Sequence, residues 1–209
     1  MAVKILVHGF GQRASSWKET ISYLQKNETV LCPNLSSILS GKPAAYPALY
    51  AAFAEYCGKA DGQLHLCGIS LGGILALNYA LDFPQKIKTL VLIGTPCKIP
   101  RVILGIQTVL FHFFPKSAFT SMAFDKTDAF ALVNSMKDLD FSGRVHQIQC
   151  PTLVLCGNKD RTNLKSAYYL SRHIPNAELR LVAHSGHVVN EEQPNVLASM
   201  LTEHCAKYP

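Results

Sequence analysis

The stretch "GISLGG", residues 68–73, sets Ser70 between Gly68 and Gly72, where the apolar run "QLHLC" gives way to a second, "ILALNYA". A serine hydroxyl attacks a carbonyl only when a base removes its proton and an acid orients that base. The G-x-S-x-G spacing is that of a nucleophile elbow, a sharp strand-to-helix turn that strains the central residue and lifts its Oγ clear of the backbone. The neighbours two positions away must be small because a side chain there would strike the adjoining strand or helix. The plainer alternative is a glycine-rich turn whose serine caps the next helix. A buried strand before the motif, an apolar helix after it and partners further along favour the chemical reading.

Those partners should follow in the order Ser, Asp or Glu, His, just beyond the ends of later strands. After "TLVLCG" comes "NKDR", which places Asp160 at a strand end. After "ELRLVA" comes "HSGHVVNEEQP", which offers His184 and His187. Gly186 gives the second histidine a loop free to turn back over Ser70, so His187 is the expected base and His184 a surface or supporting residue. A metal reading of the histidine pair lacks a third ligand, and no metal or cofactor is expected. The developing oxyanion needs backbone donors. "HGFGQ", residues 8–12, follows the first apolar run, so the N–H groups of Phe10 and Leu71 are the expected pair. His8 is expected to pack structurally.

Elements able to hold these residues recur along the chain. Short runs rich in Val, Ile and Leu at 3–8, 29–32, 63–68, 89–94, 152–157 and 178–183 are near-continuously apolar, as strands buried on both faces are. Helical spacing fills the intervals 15–26, 46–58 and 71–82. Alternating strands and helices imply parallel pairing through crossovers, hence an α/β sandwich. Between Thr95 and Gln149 the rhythm breaks, with helix-like pieces at 101–113, 116–122, 127–138 and 142–148 and no convincing strand. An insertion there lies over the carboxyl edge of the sheet, where open α/β folds place ligands. Residues 97–149 are therefore expected to form a short helical lid on a core built from 1–96 and 150–209.

Bulk properties narrow the function classes. The chain has 209 residues, 48% of them hydrophobic, and a formal charge of +6. Its lysines and arginines are dispersed, which argues against a nucleic-acid binder. Seven cysteines form no C-x-x-C pair and several sit in apolar runs, which favours a reducing compartment. The N-terminal apolar run is too short for a secretory signal, and "VILGIQTVLFHFF" (102–114) is too short to span a bilayer. The expected location is cytoplasmic, with no transmembrane segment; oligomeric state is not readable.

Taken together, "ILVHGFGQRASSW", "LHLCGISLGGILALNYALDFPQKIKTLVLIGTP", "IQCPTLVLCGNKD" and "GHVVNEEQP" resemble the α/β-hydrolase superfamily, specifically its serine hydrolases with a small helical lid. The resemblance implies a three-layer α/β sandwich around a mostly parallel sheet of about six strands, with Ser70 as nucleophile, Asp160 as acid, His187 as base and Phe10 and Leu71 as oxyanion donors. The chain departs from the family's common pattern in starting directly on the strand before the HG loop, without a leading hairpin, and in its short lid. The function implied is cleavage of a carboxylic ester or thioester, on a small and mainly apolar acyl substrate, through an acyl-enzyme. A second class is a C–C bond hydrolase or lyase using the same triad, whose polyanionic substrates would call for cavity-facing arginines among Arg101, Arg144 and Arg161. A third is a triad-bearing small-molecule receptor or signalling protein.

Overall fold

The structure, a computed structural model, describes residues 3–24, 29–99 and 122–208. The chain opens on β1 (Val3–Val7), passes through a 3-10 turn at Ala14–Trp17 into the short α1 (Lys18–Ser22), and reaches β2 (Val30–Leu31) and the single-turn α2 (Leu35–Ile38). Next come α3 (Tyr46–Gly58), β3 (Leu64–Ile69), α4 (Leu71–Asp82) and β4 (Ile87–Ile93). After α5 (Lys126–Ser135) follow β5 (Thr152–Gly157), α6 (Leu164–His173), β6 (Ala177–Val182), the short α7 (Val189–Glu192) and α8 (Pro194–Ala206).

All six strands are parallel, in the order β2-β1-β3-β4-β5-β6. The chain runs outward from β1 to β2, then crosses back to β3 on the other side of β1. Strand order therefore reverses between β1 and β3, and in open parallel sheets ligands bind in the crevice above such a switch point.

Alternation along the strands feeds two cores. Ile5, Val7, Leu64, Leu66, Leu90, Leu92, Val154 and Cys156 face one apolar cluster, which α3, α4 and α6 cover with Leu49, Phe53, Ile74, Ala167 and Leu170. Leu6, Cys67, Ile69, Val91, Ile93, Leu153 and Leu155 face the other, closed by Trp17, Leu197, Ala198 and Leu201. The result is three layers with the sheet in the middle, the expected α/β sandwich. α4 is buried from Leu71 through Leu81, which explains a sequence apolar on every side rather than on one stripe.

Several boundaries differ from the periodicity. The expected helix over 15–26 is a 3-10 turn followed by five helical residues, and 25–28 lie outside the described residues. Of the lid pieces, 101–113 and most of 116–122 also lie outside them. The segment 142–148 contracts to a 3-10 turn at Val145–Gln147. Among its described residues the interval read as strand-free holds one antiparallel bridge, Lys98 to Asp140, with Ile99 N–H donating to Leu139 O and Phe141 N–H to Cys97 O. Phe124, Leu132, Met136, Phe141 and Val145 join the first core, so the described part of this insertion is docked on the sandwich.

Candidate active site

Ser70 stands between the end of β3 and the start of α4, with φ 54° and ψ −115°. Its positive φ is a costly conformation for a residue with a β-carbon. The turn closes because nothing protrudes from its neighbours. A Cβ on Gly68 would run into the Gly72 and Gly73 backbone, and one on Gly72 would run into the carbonyls of Val7 and His8. Ser70 N–H donates to Ile93 O at 2.9 Å and Ser70 O accepts from Ile74 N–H at 2.9 Å, which anchors the turn to β4 and to the first turn of α4.

Beyond β5, Asp160 is almost fully buried at 7% exposure. Its Oδ2 accepts from His187 Nδ1 at 2.7 Å. Sequence reasoning missed the third member of this cluster. Asn163 Nδ2 donates to Asp160 Oδ1 at 3.0 Å and Oδ2 at 2.9 Å, and Asn163 N–H reaches Oδ1 at 3.2 Å. Burial on its own pushes the Asp160 carboxyl upward, but the hydrogen bonds from His187 and Asn163 and the attraction to His187 outweigh it, and the net direction is downward. A carboxylate so satisfied is held ionised. With Nδ1 donating to Asp160, a neutral His187 ring keeps Nε2 as its acceptor. The signal for Asn163 was available: three residues after Asp160 is one turn on, the reach of a side chain back to the residue that opens the turn.

The loop carrying His187 takes its left-handed turn at His184, φ 58°, while Gly186, whose freedom to turn favoured His187 in the sequence, has no positive φ. His184 itself is exposed. Glu192 holds the loop from below: its Oε2 accepts from Ser185 Oγ at 3.1 Å and from Gly186 N–H.

The HG loop is tied to this same region. Gly9 N–H donates to Gln12 Oε1 at 3.0 Å, while Gln12 Nε2 donates to Asn190 Oδ1 at 3.0 Å and Glu191 Oε1 at 2.8 Å. Asn190 Nδ2 then donates to Ser16 O at 3.0 Å. The two acceptors of Gln12 Nε2 lie 178 and 179 residues away, so no local pattern announces them. His8, wholly buried, donates from Nδ1 to Gly9 O at 2.8 Å and accepts Leu35 N–H at Nε2 at 3.1 Å. Burial lowers its pKa and keeps this imidazole neutral, which is the structural role expected of it.

A cavity of about 1460 Å³ joins these pieces; Ser70, His187, Phe10 and Leu71 all border it. Among the described residues no hydrogen bond links the Ser70 hydroxyl to the His187 imidazole. Ile74, Ile99, Met122, Val133 and Met136 give the cavity an apolar wall. Phe10 stacks on Phe124, ring centroids 5.9 Å apart. Of the arginines that a polyanion-binding site would use, Arg161 borders the cavity and Arg144 instead pairs with Asp82 at 3.2 Å. Arg101 lies outside the described residues. No group of three or more His, Cys, Asp or Glu is arranged to hold a metal among the described residues.

A six-stranded parallel sheet, a strained serine at its switch point and a histidine–carboxylate pair whose histidine borders the same cavity accompany an α/β hydrolase architecture. The chain belongs to the alpha/beta hydrolase family, whose model matches residues 5–200. It is similar to the pimeloyl-[acyl-carrier protein] methyl ester esterase of Aromatoleum aromaticum, 37% identical over 98 residues that cover 46% of this chain and 39% of that protein. The enzyme of the same name from Nitrosomonas europaea is 21% identical over 88% of this chain and 87% of its own length. Among solved structures, the enol-lactonase from Burkholderia xenovorans LB400 superposes with a TM-score of 0.85 at 16% identity, covering 99% of this chain and 92% of that one. MenH from S. aureus gives 0.82 at 18% identity, covering 99% and 94%. Among the described residues no helix is long and apolar enough to cross a membrane.

Proposed function

We propose that the protein is a serine hydrolase that cleaves a carboxylic ester or thioester of a small, largely apolar acyl group. The observation that carries this reading is the 2.7 Å contact between His187 and the buried Asp160, set on the same cavity as the strained Ser70. In this reading His187 Nε2 takes the Ser70 proton as Oγ attacks the acyl carbonyl. The backbone N–H groups of Phe10 and Leu71 receive the oxyanion, the latter aided by the positive end of α4. Collapse of the tetrahedral adduct expels the alcohol or thiol, which His187 protonates, and water attacking the acyl-serine by the same route frees the acid. Asp160 keeps the imidazole in its Nδ1–H form and stabilises its cation. Hydrogen bonds between nucleophile and base commonly tighten only once substrate is bound.

Residues 97–149 act in this reading as the lid, since Ile99, Met122, Val133, Met136 and Ser142 contribute to the cavity wall. The ester-hydrolase names of the relatives support the same class, and seven free cysteines suit a cytoplasmic setting. A lyase or C–C hydrolase acting on a polyanion is the alternative: of the three arginines named for it Arg161 borders the cavity, Arg144 pairs with Asp82 and Arg101 lies outside the described residues.

The test is labelling with a fluorophosphonate followed by mass spectrometry of the tagged peptide, with p-nitrophenyl butyrate hydrolysis measured in parallel. The expected result is modification of Ser70 and loss of hydrolysis in Ser70→Ala. Full activity in that variant refutes the proposal.

A further inference from the structure

The acyl-transfer chemistry leaves one wall of the cavity unused. Lys165, Tyr168 and Arg172 recur at i, i+3 and i+7 on α6, with Arg161 in the turn before it. All four are exposed at the surface and all four border the cavity that holds Ser70. The opposite side of the helix is committed to the core through Ala167 and Leu170. The stripe is therefore a face of α6 turned toward the site and not a part of its packing.

Its charge is uncompensated. Among the described residues no carboxylate pairs with Arg161, Lys165 or Arg172, and the Arg172 guanidinium instead lies over the Tyr168 ring, 5.9 Å from its centroid. Glu191 also borders the cavity, and its Oε1 accepts from Gln12 Nε2 and from none of the three cations. Other cations do find acids: Lys98, which also borders the cavity, meets Asp140 at 2.7 Å, and Arg180 meets Glu203 at 2.7 Å. Three unpaired cations, Arg161 just before α6 and Lys165 and Arg172 on it, line one wall of the cavity and repel one another, a cost that a bound anion relieves.

We propose that this stripe selects substrates carrying an anionic group, a carboxylate or a phosphate, at the end that projects from the cavity, while the apolar wall takes the uncharged part. Arginine matches both oxyanions through paired N–H donors, and Lys165 adds a point charge between the two guanidinium positions. The inference rests on the ester-hydrolase reading and deepens it by naming the substrate class.

The experiment compares p-nitrophenyl octanoate with analogues of equal chain length ending in a carboxylate or in a phosphate. At low salt kcat/KM is expected to favour the charged esters by about tenfold, through KM and not kcat, and the preference is expected to shrink in about 0.5 M sodium chloride. Whichever charged ester leads tells a carboxylate site from a phosphate site. In the triple variant Arg161→Gln, Lys165→Gln, Arg172→Gln, the charged esters should lose about tenfold and the neutral ester less than about threefold. Equal cleavage of neutral and charged esters by the native protein, or a preference that survives in the triple variant, overturns the inference while leaving the hydrolase reading in place. If no ester is turned over, calorimetric binding of the same esters to Ser70→Ala still decides it: tighter binding of the charged esters sustains the stripe, and equal binding removes it.

Discussion

Asn163 lays its side-chain amide across both oxygens of the Asp160 carboxylate, 3.0 Å from Oδ1 and 2.9 Å from Oδ2. The same nitrogen is 3.2 Å from His187 Nδ1. Because both nitrogens donate to Asp160, that approach is a contact between neighbours that share one acceptor. A buried carboxylate with this many donors is fixed in orientation as well as in charge, and through it so is the imidazole.

Asn163→Ala removes a charge-assisted donor from a buried site. The variant should lose about 2 kcal/mol of stability and about tenfold in turnover of a p-nitrophenyl ester. Urea unfolding and steady-state kinetics check the two together, and turnover at the native level would show that Asn163 has no positioning role.

The lowered pKa of Asp160 has a stability consequence with a definite sign. As pH falls past the ordinary value of 3.8 the unfolded chain takes up the proton before the native protein does, so the increment is present above that pH. It is lost as pH falls further, through the folded-state pKa. Asn163→Ala moves the folded pKa back toward the ordinary value and shrinks the increment. The stability gap between native protein and variant should therefore be constant from about pH 7 to pH 5 and narrow below about pH 4. A gap that widens under acid conditions contradicts the stated direction of the shift.

Ser70 stores strain, and two substitutions isolate it. Ser70→Ala and Ser70→Gly both remove the hydroxyl, but only glycine relieves a backbone at φ 54°. The glycine variant should be more stable than the alanine variant by about 1 kcal/mol, the relief less the entropy that glycine costs. Equal thermal midpoints would mean that the turn is not strained in solution.

Gln12 joins the HG loop to α7, and its replacement separates them. Gln12→Ala leaves the Gly9 N–H without its acceptor and withdraws donors from Asn190 and Glu191, at about 2 kcal/mol. Gln12→Glu keeps the acceptor but sets a carboxylate facing Glu191, so it should be the more damaging of the two near neutral pH. Rates and unfolding midpoints for both variants test that ranking.

The local sequence carried much of the architecture. Near-continuous apolar runs marked all six strands to within two residues, and the spacing of Leu49 and Phe53 marked α3. The first helix came out too long because Trp17 and Leu24, both buried, mimic one helical face although Trp17 closes a 3-10 turn. The positions of Ser70, Asp160 and His187 were nameable because each follows a strand whose apolar run ends abruptly.

What the sequence by itself determined was the order of strands and helices and the residue at each strand's carboxyl end, because burial on both faces of a parallel sheet writes itself as unbroken apolar runs. Only the tertiary structure decided which loops meet. The linkage of Gln12 to Asn190, the grip of Glu192 on the histidine loop, the turn taken at His184 and the basic face of α6 on the cavity that Ser70 borders all depend on elements brought together by the strand crossovers. A hydrogen bond spanning 178 residues leaves no periodicity behind, since its energy depends on distance in space and not on separation along the chain.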